Sequence, residues 1–248
     1  MRTQGLRGAV YIVCRPARTV ERGLSGYELG DRLLALLRSR FKLGEGEFAA
    51  LEAGKSGDPF KVLVATIISQ NTNERNTFRA LERLEAEVGV KPGRIFTAGV
   101  EAVERAISAA GLQRQKAEAI VAAAKLVAER YGGDLGKLLE LGEEAVRREL
   151  GSVRGVGEKT IDVLLAFSGF PVVPVDTHVK RVAGRLGLAS GSSYRSVREA
   201  LHRVFREEAR LEAHLLLIKL GREVCKARKP LCGECPLSQL CPSAFKER

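Results

Sequence analysis

Apolar side chains recur along this chain at the three- and four-residue spacing of helices, and almost nowhere at the alternating spacing of strands. In residues 27–40, Leu29, Leu33, Leu36 and Leu37 share one face. Asp58-Pro59 marks a helix start, a capping carboxylate followed by proline at the first helical position. The stretch it opens, 60–69, is apolar nearly all round, which predicts a central, buried helix. Asn73 can cap a helix reaching about Val88. Further helices are predicted over 100–110, 113–131, 143–150, 158–167, 176–186, 194–206 and 208–222, with glycines at 111, 132, 133 and 142 as stops. Residues 171–175, Pro-Val-Val-Pro-Val, read as an extended connector, and residues 1–25 as a basic arm without helical period. The expected fold class is all-α.

The charge changes the picture. The chain of 248 residues carries a formal +11, which favours a polyanionic partner over a merely solvated basic surface. No apolar run approaches the ~20 residues that cross a bilayer, and no single Lys/Arg-rich amphipathic helix suggests a membrane surface. Ala9 to Cys14 is too short for most signal-peptide cores and lacks a cleavage site after it, so the protein reads as cytoplasmic. Amides are scarce, three Asn and five Gln, as in heat-adapted proteins, yet Gln70, Asn71, Asn73 and Asn76 fall within seven residues. A chain that avoids amides elsewhere has a use for them there.

Three local patterns carry chemistry. Four of the five cysteines, Cys225, Cys232, Cys235 and Cys241, crowd near the C-terminus, while Cys14 stands alone without a role. Such a thiolate set binds Zn²⁺ or an iron–sulfur cluster, and the spacing does not choose between them. The loop between the first two holds Lys226, Arg228 and Lys229, which suit phosphate contact or simple solvation. Residues 143–167 read as helix, tight hairpin, helix. Gly155 and Gly157 allow positive φ and close backbone approach, and the second helix then presents free N–H groups to an anion, unless the glycines are ordinary caps. Lys159 stands in that helix's first turn, as nucleophile or phosphate ligand. Asp176 follows the extended segment, where an N-cap is its plain role.

Residues 150–162, with Gly155-Val156-Gly157-Glu158-Lys159-Thr160 at their centre, resemble the helix–hairpin–helix motif of the endonuclease III family, with Arg154 where the family usually has proline. The cysteine spacing resembles that family's [4Fe–4S] motif, and the likeness runs from about residue 27 to 248. It implies two helical lobes with a cleft between them: 50–170 with the hairpin, and 26–49 joined to 171–248 with the cluster. It further implies a bifunctional DNA glycosylase and AP lyase of base excision repair, acting as a monomer on double-stranded DNA with a damaged base or abasic site. Oxidised or ring-saturated pyrimidines would be removed. Lys159 would attack the sugar and form a Schiff base that leads to β-elimination, and Asp176 would stabilise charge on the sugar. Gln70 and Asn71 would meet the opened duplex, Leu112 would act as a wedge, and His178 would lie near the lesion pocket. Without the resemblance, Gln70 is a polar helix end, Leu112 a core residue and His178 a cap neighbour. Rival readings are a mismatch or adenine glycosylase, which Lys159 argues against; a non-catalytic DNA-binding module, which has no need of Lys159 with Asp176; and an electron carrier, which leaves the basic chain unexplained.

Overall fold

The computed structural model describes residues 26–246; the basic arm and Cys14 lie outside them. Among the described residues there are twelve α-helices and no strand. In order they are α1 (Gly26–Arg40), α2 (Ala49–Lys55), α3 (Pro59–Ser69), α4 (Glu74–Glu87), α5 (Pro92–Ala106), α6 (Gln113–Tyr131), α7 (Leu135–Glu140), α8 (Glu143–Gly151), α9 (Glu158–Phe167), α10 (Thr177–Arg185), α11 (Tyr194–Val204) and α12 (Arg210–Glu223).

Local chemistry sets several of the starts. Asp58 accepts from the N–H groups of Phe60 and Lys61 and caps α3, with Pro59 at its first position. Asn73 caps α4 through Asn76 N, Asp176 caps α10 through Val179 N, and Ser193 caps α11 through Ser196 N. Three departures from the expected pattern stand out. The helices α2 and α7, of seven and six residues, are too short to show a period. The helix expected over 100–110 begins at Pro92, breaks at Gly99, where φ is +76°, and resumes to Ala106, leaving only a 3₁₀ turn at Ser108–Ala110. Proline at the start was the available signal, and the interior glycine masked it.

The helices bury two hydrophobic cores. The first runs from Ala49 to Val172, with α3 at its centre; Val62 to Ile68 are all buried. The second combines Leu33 to Phe48 with Val173 to Leu237, so α1 packs against α11 and α12 although most of the chain lies between them. Phe167 and Leu211 pack against both cores. A buried polar cluster also joins them. Asp162 of α9, fully buried, accepts from Arg147 Nη2 at 2.5 Å, from Arg198 Nη1 at 3.2 Å and from the Tyr194 hydroxyl at 2.6 Å.

The extended connector 171–175 belongs to no sheet, so side chains satisfy its backbone. Arg210 Nη1 donates to Pro171 O, Val173 N donates to His202 Nε2, and Val175 N donates to Tyr194 Oη. His214 Nδ1, carrying its proton, donates to Pro174 O. Burial holds both histidines neutral by pushing their pKa values down, His202 to about 4. Asp176 follows directly on this tethered segment.

Candidate active site

A cleft of about 740 Å³ opens between the two cores. That volume lies within the range of small-molecule sites. Gln70, Asn71 and Lys159 line it from one side; Asp176, His178 and His214 line it from the other.

Lys159 reaches the cleft because α9 starts beside it. Gly157 precedes α9 and no side chain caps that end. Among the described residues, the N–H groups of Gly157, Glu158 and Lys159 have no protein acceptor. The hairpin therefore ends in an unoccupied donor set at the positive end of a helix dipole, which favours an anion. The two glycines serve differently. Gly155 has φ +91°, and a Cβ there would meet Ala119 Cβ at 2.9 Å. Gly157 is extended at φ −95° and does not use the positive φ that glycine allows; a Cβ there would meet nothing within 4 Å. The open space over Gly157 lets another molecule come close to the backbone.

Burial pushes the Lys159 ammonium below its ordinary pKa, and Arg222 pushes the same way. Asp176 and Glu74 oppose this without cancelling it. Desolvation outweighs the nearby carboxylates, so a larger share of the amine is neutral than in a free lysine. Asp176 Oδ1 is committed to Val179 N at 2.7 Å, which fixes the carboxylate at the head of α10. His178 Nδ1 lies 3.0 Å from Arg181 Nη2, and burial lowers its pKa as well.

Gln70 ends α3, and its side-chain amide donates to Gly155 O and Thr160 Oγ1, both at 3.1 Å. It is thus docked on the hairpin. Asn71 is exposed with φ +52°. Leu112 lies outside the cleft; it precedes α6 with φ +49° and is 53% exposed, so it is no core residue. Lys226, Arg228 and Lys229 are also outside the cleft, exposed, and without ion pairs among the described residues. Three titratable lining residues escaped the sequence reading: His214, Glu74 and Arg222. His214 is a lone histidine on an apolar helix, the signal that was available. Glu74 accepts from Ala49 N and Arg222 Nη2, a tertiary link that no local pattern shows.

The four cysteines line one small cavity with Arg185 beside it. Burial and mutual repulsion push the Cys235 and Cys241 thiols up, which reflects crowded sulfurs. Arg185 is buried, pairs with no carboxylate among the described residues, and has an Nε without a partner. Its Nη1 donates to Cys225 Sγ at 3.2 Å. A buried cation against thiols asks for negative charge. Four thiols around one cavity are the donor set of a metal centre, whether an iron–sulfur cluster or Zn²⁺.

Comparison with known proteins agrees with this geometry. Residues 64–207 match the HhH-GPD superfamily of base excision DNA repair proteins, and residues 225–241 match the iron–sulfur binding domain of endonuclease III. Endonuclease III of Sulfolobus acidocaldarius is 34% identical over 218 residues, covering 86% of this chain and 96% of its own. That of Escherichia coli is 35% identical over 192 residues, 77% and 85% of the two chains. Among solved structures, a trapped endonuclease III–DNA covalent intermediate superposes with a TM-score of 0.69 at 27% identity, covering 87% of this chain and 93% of that one. A thermostable thymine-DNA glycosylase, TM-score 0.68 at 20% identity over 87% and 94%, shares the fold.

Proposed function

The chain belongs to the endonuclease III family of DNA glycosylase/AP lyases of base excision repair, and from that premise we propose that Lys159 and Asp176 do its chemistry from opposite walls of the cleft. The observation that carries this is their meeting in one cavity, where burial pushes the Lys159 ammonium below its ordinary pKa. The neutral amine attacks C1′ of the damaged nucleotide, the glycosidic bond breaks, and the base leaves with the bonding pair and takes up a proton. Loss of the ring oxygen's bond to C1′ gives the Schiff base. Removal of a C2′ proton then expels the 3′ phosphate by β-elimination. Asp176 offsets the positive charge that builds on the sugar. His178 and His214 border the same space, and burial keeps both neutral.

The substrate we infer is a duplex with an oxidised or ring-saturated pyrimidine or an abasic site. The open hairpin and α9 hold the backbone phosphate, and the exposed Lys226, Arg228 and Lys229 add sequence-independent affinity. Gln70, Asn71 and Leu112 occupy the gap left by the extruded base. We take the two cores as the two lobes, 50–170 and 26–49 with 171–248, that grip DNA between them. One chain supplies both walls, which supports action as a monomer.

The [4Fe–4S] cluster is held by Cys225, Cys232, Cys235 and Cys241. When bound it supplies negative charge opposite Arg185 and pins the basic loop; no step of the reaction passes through it.

Borohydride trapping on abasic DNA tests the reading. Wild type should be captured covalently. Its rate should rise with pH as the amine loses its proton, levelling below the ~10.4 of a free lysine. Lys159→Gln should abolish both capture and strand cleavage; capture that persists in that variant means another amine is the nucleophile.

A further inference from the structure

Lys116, on α6, is only 3% exposed, and among the described residues no carboxylate pairs with it. Its ammonium donates to Ile68 O at 2.8 Å, Thr72 Oγ1 at 2.7 Å and Ala110 O at 2.8 Å, so its three donors meet three oxygens. The Thr72 hydroxyl in turn donates to Ala110 O, and Lys116 N donates to Leu112 O at 3.1 Å. Ile68 and Thr72 bracket Gln70 and Asn71. Ala110 leads into Gly111 and Leu112.

Two segments far apart in sequence are thereby tied at one point. They also hold two of the three non-glycine residues with positive φ among the described residues, Asn71 and Leu112. Such backbone persists only where the surroundings over-determine it. A buried cation without an anion is costly, and a methionine would fill the same space without that cost. What the ammonium adds is the link between the two segments.

We propose that Lys116 is a positioning residue for base extrusion: it locks the Gln70 segment to the Leu112 segment so that both enter the duplex as one rigid unit. The proposal rests on the reading of Gln70 and Leu112 as duplex-inserting residues. Lys116 itself touches neither the sugar nor the base.

The readout is the ratio of two rates: base release from a duplex with one thymine-glycol site, and borohydride capture on a single-stranded abasic oligonucleotide, where no duplex must be opened. Lys116→Met should lower the duplex rate by about 10- to 100-fold, the scale of a displaced positioning group, while single-strand capture changes much less. Thr72→Val removes the shared hydroxyl while keeping the side-chain shape, and should shift the ratio in the same direction. It keeps the test decisive if Lys116→Met does not fold.

A pH series on wild type gives a third reading. Burial pushes Lys116 down to about 8, and the atoms facing it are the two carbonyls and the Thr72 hydroxyl. Above that pH the amine has one donor fewer, so the duplex-to-single-strand ratio should fall; the Lys159 contribution cancels in the ratio. Lys116→Met should flatten this dependence. Equal losses on both substrates, or no loss on the duplex, overturn the proposal. Leu112→Ala serves as the control: if it leaves the ratio unchanged, the insertion reading itself fails, and the proposal with it. If it lowers the ratio while Lys116→Met does not, Lys116 alone is excluded.

Discussion

Substituting Asp162→Asn keeps the shape of a fully buried side chain and removes its charge. Two guanidinium groups then lose their partner. Arg147 retains Glu143 at 2.7 Å, but Arg198 has no other ion pair among the described residues, and its Nε is already buried without a partner. Removing one member of a buried ion pair costs about 3–5 kcal/mol. The remaining Glu143 contact and the 16% exposure of the Arg198 side chain put this case at the lower end, about 3 kcal/mol. For a chain of this size that lowers Tm by about 6–12 °C. Scanning calorimetry at pH 7 measures it directly. The loss should also reach the cleft. Asp162 is one helical turn beyond Lys159, and the Tyr194 hydroxyl that donates to Asp162 also accepts from Val175 N, the residue before Asp176. Slower capture of abasic DNA should therefore accompany the lower Tm. Adding Arg198→Met to Asp162→Asn removes the stranded charge and should recover part of the stability, which a double-mutant cycle resolves. A Tm within 2 °C of wild type for Asp162→Asn, on the order of half a kcal/mol, would refute the claim that the two arginines depend on this carboxylate.

Asp176→Asn should keep the α10 cap, since Asn also caps, yet slow base release by ~10²–10³-fold; capture on preformed abasic DNA should suffer less, because no base has to leave. Cys232→Ser should strip iron from the purified protein, read by metal analysis and by loss of visible absorption, and should loosen the 225–241 loop in hydrogen exchange. Replacing Arg228 and Lys229 together by Ala should flatten the dependence of log affinity on log salt by about one to two units, with lesion preference unchanged; an unaltered slope removes this loop from the DNA contact.

Helical class, the buried α3 and the caps at Asp58, Asn73 and Asp176 were legible because each depends on neighbours a few residues away. Residues at 70, 71, 159, 176 and 178 were named through the resemblance to the family, with local composition adding support only around Gln70, and the fold brings them to one cleft. What stayed hidden depends on contacts between distant segments. Lys116 reads in sequence as an ordinary exposed helix lysine, since nothing nearby announces the carbonyls of Ile68 and Ala110. Asp162 looks like any polar residue in α9 until Arg198 and Tyr194 arrive from α11. The two hairpin glycines read alike in sequence, each allowing positive φ or close approach, whereas Gly155 uses the first and Gly157 is extended with open space over it. The inference of a heat-adapted source rests on composition alone.

The placement of α1 has a consequence for synthesis on the ribosome. The buried apolar residues of the first core all lie between Ala49 and Val172, and only Leu211 and the Asp162 partners Tyr194 and Arg198 come later, so most of it can close while the rest of the chain is still being made. By contrast, α1 emerges early yet packs against α11 and α12. A fifteen-residue helix is marginal alone in water, so Leu33, Leu34 and Leu37 stay uncovered until those helices exist. Adding the roughly 50 residues from Val173 to Glu223 takes about 3–10 s at ordinary elongation rates. For that interval the nascent chain carries a nearly closed core and an orphaned apolar segment ahead of it. Chains truncated between Val172 and α11 should therefore bind chaperones and aggregate through α1, although most of their first core is in place.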